Sequence, residues 1–258
     1  MAGPILQKVL NEGQVIRLIL NRPKGNILDG PMMEELQRAL NGLRDQPDIK
    51  LVQLTGAGDH FCFGASVPEH RREQAGAMLK QFHGLFLTLM DLAIPSAALV
   101  SGNCLGGGLE LALMCNFLFA DGTARLGQPE MNLGLFPPQA SLILPLKIGQ
   151  SRADEVILTG KTFSAQEMAS MRLITRLFED RKALESGVEK WVREHILPKS
   201  ASSLRYGVQA ARWEFNRVLR NQLESVEKFY LEELMSTHDA GEGIDAFVQK
   251  RPPRWKNR

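Results

Sequence analysis

Three consecutive glycines, Gly106, Gly107 and Gly108, stand directly before an apolar segment, residues 109–115, whose only charged member is Glu110. Glycine runs usually just permit a tight turn. At the start of an apolar helix they also leave the first-turn N–H groups uncovered, at the positive end of the helix dipole. The pattern predicts a strand-to-helix turn that can hold an anion or a developing oxyanion.

Two carboxylates accompany this turn. Glu110 is the only charged residue in the run 105–120, and a carboxylate in apolar surroundings tends to have the raised pKa that an acid/base catalyst needs. Glu130 follows Pro129 in a loop, residues 127–134, that is bounded by glycines. Each has an ordinary structural explanation, a helix start for Glu110 and a solvent-facing loop for Glu130. As a pair they can divide the tasks of deprotonating water and protonating carbon.

A loop of small and aromatic residues, 61–66, is either a simple connection or the source of a second backbone donor. Oxyanion holes commonly use two donors from separate segments. No Lys-Ser/Thr pair follows the glycines as in a P-loop, and no Gly-x-Ser-x-Gly elbow is present. The five histidines show no metal-ligand spacing, and His70 stands out only because it closely follows this loop.

Composition indicates an ordinary globular protein. The formal net charge of +2 does not indicate nucleic-acid binding. Cys62, Cys104 and Cys115 lie in apolar or glycine-rich surroundings, which favours buried thiols over disulfides or structural zinc. Neither a signal peptide nor an apolar stretch of membrane-spanning length is recognisable, so we expect a cytoplasmic protein.

Short apolar runs alternate with helical patterns and give way to a helical last third, which predicts an α/β core with a helical extension. Long helices with apolar faces in that extension favour a homo-oligomer. The strands are predicted at residues 15–20, 49–54, 97–100, 117–120 and 173–178. The helices are predicted from residue 30 onward and at residues 78–90, 109–115, 151–158, 164–170, 182–196, 202–220 and 223–235.

The chain resembles the crotonase (enoyl-CoA hydratase/isomerase) superfamily over essentially its full length. The motifs that carry the resemblance are residues 20–24, 61–65, 102–110, 119–121, 127–130 and 246–251. The resemblance implies stacked ββα units with C-terminal helices that form a trimer, often within a dimer of trimers. We therefore divide the chain into a core that carries the active site, residues 1–197, and a C-terminal helical region, residues 198–258.

The same resemblance implies an acyl-CoA thioester as substrate and no metal or redox cofactor. The thioester oxygen would lie between the backbone N–H groups of Ala65 and Gly107, and Glu110 and Glu130 would be the acid/base pair. Retention of both glutamates favours water addition. The other substrate- and CoA-binding positions that it implies are Lys24, Gly25, Gly64, Ser66, Val67, Gly106, Gly108, Pro129 and Gly134.

Within the family, residues 134–141 depart from the segment that usually follows the second glutamate, and Ser66 replaces the usual Asp. With residues 64–67, 69–70, 104–110 and 236–240, they resemble the cyclohexa-1,5-diene-1-carbonyl-CoA hydratases of anaerobic benzoyl-CoA degradation. That subgroup implies 1,4-addition of water, giving 6-hydroxycyclohex-1-ene-1-carbonyl-CoA. The alternatives are hydration of acyclic trans-2-enoyl-CoA, an isomerase or ring hydrolase on the same scaffold, and a crotonase-like RNA-binding protein. Which glutamate reaches the distal carbon is open at this stage.

Overall fold

The computed structural model describes residues 3–22 and 24–258. Pro23, part of the motif at residues 20–24, lies outside them. The strands are β1 Ile5–Leu10, β2 Val15–Leu20, β3 Leu51–Gly56, β4 Ser96–Val100, β5 Asn103–Leu105, β6 Phe117–Asp121, β7 Arg125–Gly127, β8 Thr162–Ser164 and β9 Arg176–Phe178. The α-helices are α1 Gly30–Asn41, α2 Arg72–Leu92, α3 Gly107–Met114, α4 Pro138–Ile148, α5 Gln150–Thr159, α6 Ala165–Ser170, α7 Arg181–His195, α8 Ala201–Ala211, α9 Trp213–Lys228 and α10 His238–Val248.

Two sheets organise the chain. The larger has the order β1-β2-β3-β4-β6-β9, antiparallel between β1 and β2 and parallel thereafter. The smaller has the order β5-β7-β8, with β5 and β7 parallel. β4 is buried along its whole length, as expected for a parallel strand covered on both faces. The predicted α/β class with a helical C-terminal region is confirmed.

The apolar stripes predicted for the first two helices form part of the core. Asp29 caps α1 by accepting from the backbone N–H of Met32, and Pro31 lies in the first turn. Met78, Phe82, Leu85 and Leu89 on α2 are buried in the large apolar cluster, as their spacing predicts. His83 lies on the same buried face.

Helix α3 starts at Gly107, two residues earlier than predicted, so two of the three glycines are helical. At its other end Arg212 donates to the carbonyls of Met114 and Cys115, both at 2.6 Å, and Lys147 donates to Cys115 at 3.4 Å. Cations at a helix C-terminus complement the dipole. Both cations lie at the C-terminal end of α3, and its positive N-terminal end lies at the site described below.

The helices of the last third break at a different place from the prediction. The single helix predicted for residues 202–220 is wrong, because it divides into α8 and α9 at Arg212 (φ −106°, ψ 14°). That turn brings the guanidinium onto the end of α3. The helix predicted for residues 223–235 is also wrong, since α9 runs on to Lys228 and a π-helical turn follows at Phe229–Glu233. Residues 134–141, given no element from sequence, include the start of α4.

The C-terminal helices share the core of the rest of the chain. Leu219, Tyr230 and Ile244 belong to the same apolar cluster as β2, α1 and α2. The division at residues 197 and 198 stays a prediction. Tyr230, in the turn that follows α9, lines one pocket with Gly106 and Gly107, so this part of the C-terminal region contributes to the site.

Candidate active site

A pocket lies at the N-terminus of α3, and most of the residues singled out from sequence meet there. It contains about 580 Å³ of space, including its open mouth. Both glutamates, the glycine turn and the loop at residues 63–70 contribute to its walls. The apolar side chains that complete them are Phe63, Val67, Met78, Leu79, Phe82, Leu133, Leu135 and Phe136.

The turn before α3 requires glycine at Gly106. Its φ of +51° and ψ of −129° lie in a region that residues with side chains rarely adopt. A Cβ at this position would lie 2.6 Å from Glu130 Oε1. The Glu130 carboxylate therefore lies against the bare backbone of Gly106, and this turn fixes its distance from α3.

The backbone N–H groups of Ala65 and Gly107 lie close together beside the pocket. A Cβ on Gly107 would be 3.1 Å from Ala65 N, and a Cβ on Gly64 would be 3.5 Å from Gly107 N. Within the described part of the chain neither N–H has a hydrogen-bond acceptor, and the first helical bond of α3 runs from Glu110 N to Gly106 O at 2.9 Å. Two free donors, one of them at a helix N-terminus, can stabilise an oxyanion.

Glu110 projects from the first turn of α3 into the pocket and is only 3% exposed. Its Oε1 accepts from the backbone N–H of Ala140 at 2.9 Å, at the start of α4. Burial raises the pKa of Glu110 to about 7. Hydrogen bonds from the backbone N–H groups of Ala140 and Gln139 partly offset this effect. A carboxylate with such a pKa can exchange protons near neutral pH.

Glu130 lies in a 3-10 helix, Pro129–Leu133, on another wall of the pocket. The buried side-chain amide of Gln128 is within 3.1 and 3.3 Å of its two oxygens. Burial, and then the negative charge of Glu110, raise the pKa of Glu130 well above its usual range. Because two neighbouring carboxylates cannot easily both ionise, Glu130 keeps its proton when Glu110 has lost its own.

Gln139 connects Glu110 to a buried histidine. With its amide nitrogen towards Glu110, Gln139 donates from Nε2 to Glu110 Oε1 at 2.8 Å. In the same orientation the amide oxygen of Gln139 can accept from His83 Nε2. The other ring nitrogen of His83 faces the carboxylate of Glu227 on α9. Burial lowers the pKa of His83 to about 3, so the ring is neutral at pH 7. A neutral imidazole carries one N–H. In this orientation the Gln139 amide can accept from a protonated Nε2 or donate to an unprotonated one 3.2 Å away, so Glu110 keeps its donor with either tautomer.

Aromatic side chains line the side of the pocket formed by the C-terminal region. Tyr230, in the π-helical turn, packs edge-to-face on Phe136 with ring centroids 5.3 Å apart. Phe136 also stacks on Phe229 at 5.6 Å. The segment that follows Glu130 and the turn that follows α9 therefore form one wall.

Comparison with known proteins gives the family. The model of the enoyl-CoA hydratase/isomerase family matches residues 11–258. The chain belongs to this family. It is 42% identical to the cyclohexa-1,5-dienecarbonyl-CoA hydratase of Thauera aromatica over 257 residues, covering all of this chain and 98% of that protein. It is 34% identical to a probable enoyl-CoA hydratase of Mycobacterium bovis over 93% of this chain and 94% of that one.

A solved enoyl-CoA hydratase of Bacillus anthracis has the same fold, with a TM-score of 0.78 at 30% identity over 99% of this chain and all of the other. The family and the hydratase relatives identify this protein as an enzyme of the hydro-lyase class. None of the described helices combines the length and apolar character needed to cross a membrane. No group of His, Cys, Asp or Glu in residues 3–22 and 24–258 has a metal-binding arrangement.

The positions that sequence assigned to this hydro-lyase's site divide into two sets. The pocket is lined by Gly64, Ala65, Val67, Gly106, Gly107, Glu110, Pro129 and Glu130. Lys24, Gly25, Ser66, Gly108 and Gly134 are not among its lining residues. Their CoA- or substrate-binding roles stay predictions.

Packing accounts for these five positions in part. A Cβ on Gly108 would meet the Cys62 side chain at 2.7 Å, and one on Gly25 would meet the Phe63 ring at 3.0 Å. Gly134 (φ +69°) ends the 3-10 helix in the left-handed conformation. Lys24 is exposed on a turn at φ +78°. The carbonyl of Ser66 lies 2.9 Å from Nδ1 of His70, a pocket-lining residue whose pKa burial lowers.

Four residues near the two carboxylates were missed from sequence: His83, Gln128, Gln139 and Tyr230. One signal was available for Gln139, which is the only polar residue in the stretch 135–140. His83 similarly interrupts the buried stripe of α2. Tyr230 gave no signal, because its position depends on the π-helical turn.

Proposed function

We propose that this protein adds water to cyclohexa-1,5-diene-1-carbonyl-CoA and forms 6-hydroxycyclohex-1-ene-1-carbonyl-CoA. The observation that carries the proposal is the meeting of Glu110 and Glu130 in one pocket beside the free N–H groups of Ala65 and Gly107. Two carboxylates with separated pKa values supply a base and an acid, and the N–H pair supplies an oxyanion hole.

The thioester carbonyl oxygen accepts hydrogen bonds from Ala65 and Gly107. As a nucleophile attacks, negative charge moves onto this oxygen and the donors stabilise the dienolate. The dipole of α3 adds to this effect, because its positive end lies at Gly107. Its negative end is compensated by the guanidinium of Arg212.

The added atoms come from one water molecule. Glu110, ionised and held by Ala140 and Gln139, takes a proton from water, and the oxygen bonds to ring carbon 2, which is β to the carbonyl. The double bonds between carbons 1 and 2 and between carbons 5 and 6 are replaced by one between carbons 1 and 6. Glu130 delivers its proton to ring carbon 5, which leaves Glu110 protonated and Glu130 ionised. Exchange with solvent then removes the proton from Glu110 and returns one to Glu130.

The wall formed after Glu130 supports a ring-shaped acyl group. Leu133, Leu135 and Phe136 present apolar surface to the pocket, backed by Tyr230. An apolar wall suits a carbocycle that carries no polar atom beyond its thioester. The Thauera aromatica relative is named for this substrate.

The direct test is incubation of the purified protein with cyclohexa-1,5-diene-1-carbonyl-CoA, followed by mass spectrometry for the gain of one water. We expect Glu110→Gln and Glu130→Gln each to lower turnover on the order of 10²- to 10⁴-fold. Near-normal turnover by both variants would refute the assignment of the acid/base pair.

Hydration of an acyclic trans-2-enoyl-CoA is the second candidate. It is favoured by the Mycobacterium bovis relative, whose name is probable enoyl-CoA hydratase. Crotonyl-CoA assayed beside the cyclic dienoyl-CoA separates the two. A higher kcat/KM on crotonyl-CoA would replace the cyclic substrate with the acyclic one and would leave the two-carboxylate mechanism in place.

We further propose a homotrimer, or a dimer of trimers, that acts in the cytoplasm without a metal or redox cofactor. Exposed aromatic side chains on the C-terminal region support assembly, since Trp213 and Phe229 are 74% and 58% exposed in the isolated chain. Addition of water requires no electron transfer. Light scattering after size-exclusion chromatography measures the number of subunits. For the absence of a metal requirement, we expect turnover to survive dialysis against a chelator.

A further inference from the structure

Tyr230 presents a buried hydroxyl group that the mechanism above does not use. The side chain is 1% exposed, and its Oη has no hydrogen-bond partner in residues 3–22 and 24–258. The ring nevertheless lines the same pocket as Glu110 and Glu130. Since buried tyrosine hydroxyls are normally paired, a lone one at the wall of a pocket indicates a partner that arrives with the ligand.

The ring is held in place by packing. It lies in the π-helical turn Phe229–Glu233 and contacts Phe136 edge-to-face at 5.3 Å. π-Helical turns within helices are uncommon and often occur at functional sites. The turn projects Tyr230 inward while the adjacent Phe229 remains largely exposed.

The surroundings keep the phenol protonated. Burial, then the charge of Glu130, then that of Glu110, raise the pKa of the Tyr230 hydroxyl. The hydroxyl therefore stays a hydrogen-bond donor when either carboxylate ionises, and it can also accept.

The chemistry of the proposed substrate leaves one candidate partner. Its thioester oxygen is accommodated by Ala65 and Gly107, and its ring carries no heteroatom. The only polar atom that enters the ring end of the pocket is the oxygen of the water, which becomes the ring hydroxyl of the product.

We propose that Tyr230 is a further catalytic residue, whose hydroxyl binds the oxygen atom that the reaction adds. This inference rests on the proposed hydration. Before attack, the phenol donates to a lone pair of the water while Glu110 accepts one of its protons, which orients a second lone pair towards carbon. After attack, the same phenol binds the product's hydroxyl group.

The test compares Tyr230→Phe with Tyr206→Phe. Phenylalanine keeps the ring packing and removes only the oxygen, and Tyr206, the only other tyrosine, is 72% exposed on α8. We expect Tyr230→Phe to lower kcat on the order of 10- to 100-fold, with an unchanged or higher Tm because an unpaired buried hydroxyl is lost. Tyr206→Phe should match the wild type in kcat, Tm and assembly.

A binding measurement separates this role from packing. The wild type should bind 6-hydroxycyclohex-1-ene-1-carbonyl-CoA more tightly than cyclohex-1-ene-1-carbonyl-CoA, and Tyr230→Phe should lose that preference. Full activity in Tyr230→Phe, or lowered activity with the preference intact, would overturn the inference.

Failure of the proposed substrate is distinguishable from failure of this inference. If the wild type does not hydrate the cyclic dienoyl-CoA, the same variants are assayed on crotonyl-CoA, whose β-hydroxyl is then the added oxygen. A 10- to 100-fold loss in Tyr230→Phe would still support the role of the phenol, and an unchanged kcat would overturn it.

Discussion

Replacing Glu110 with glutamine removes a buried ionisable group and keeps the shape of the side chain. The glutamine oxygen can still accept from Ala140 N–H, so the backbone contact at the start of α4 survives. What changes is the cost of burying a charge beside Glu130. The variant therefore tests whether the electrostatic strain assigned to the site exists.

The direction in which the free energy of unfolding changes with pH follows from proton binding. Burial raises the pKa of Glu110 from 4.5 to about 7, so between these values the folded state holds a proton that the unfolded chain has lost. The free energy of unfolding therefore falls as the pH rises through this range, and the loss is complete above the folded-state pKa. At about 1.4 kcal/mol for each pH unit between the two pKa values, the full loss is about 3 kcal/mol.

The glutamine variant lacks this loss. We expect the stability of Glu110→Gln relative to wild type to increase by about 3 kcal/mol between pH 4.5 and pH 8, as measured by urea unfolding at fixed protein concentration. Glu224→Gln, at an exposed position of α9, is the matched control and should show no such pH dependence. A stability difference for Glu110→Gln that is equal at both pH values would refute the reasoning.

Three further predictions concern activity. The kcat/KM should rise with pH as Glu110 loses its proton and fall at higher pH as Glu130 loses the proton that it delivers, giving a bell-shaped profile. Gly106→Ala should lower kcat on the order of 100-fold or more, because its Cβ would displace the Glu130 carboxylate. Gln139→Leu should lower kcat on the order of 10-fold and move the acidic limb of the profile to higher pH, because Glu110 loses a donor to its ionised form.

Matched controls accompany the two substitutions. Gly13→Ala introduces a side chain at φ +89° with no atom within 4 Å, so it should cost stability and leave kcat unchanged. Gln37→Leu removes an amide bonded to Thr88 at 2.7 Å, away from Glu110, and should leave the pH profile unchanged. A profile with a single limb, an active Gly106→Ala, or an acidic limb that does not move in Gln139→Leu would each contradict the corresponding prediction.

Local patterns made much of the fold predictable. Asp29 and Pro31 marked the start of α1, and the spacing of Met78, Phe82, Leu85 and Leu89 marked the buried face of α2. The glycine turn and the two glutamates were recognisable because their chemistry depends on residues that lie close in sequence. The N–H groups of α3 follow directly from where that helix begins.

Long-range contacts made the rest unpredictable. The break at Arg212 occurs because the guanidinium caps α3, about a hundred residues earlier in the chain. Apolar periodicity assigned α8 and the first part of α9 to one helix, since it carries no information on that contact. Similarly, Gln139, His83 and Glu227 come from three different helices, and only the packing of α2, α4 and α9 brings them together.

The central claim is that Glu110 and Glu130 add water across the conjugated diene of a cyclic dienoyl-CoA. Its most direct test is the reaction of cyclohexa-1,5-diene-1-carbonyl-CoA in deuterated water, with the product analysed by NMR. We predict 6-hydroxycyclohex-1-ene-1-carbonyl-CoA with deuterium at the carbon that was ring carbon 5, formed far more slowly by Glu130→Gln. Deuterium at ring carbon 1 with the second double bond retained, or no hydrated product from the cyclic thioester, would contradict the claim.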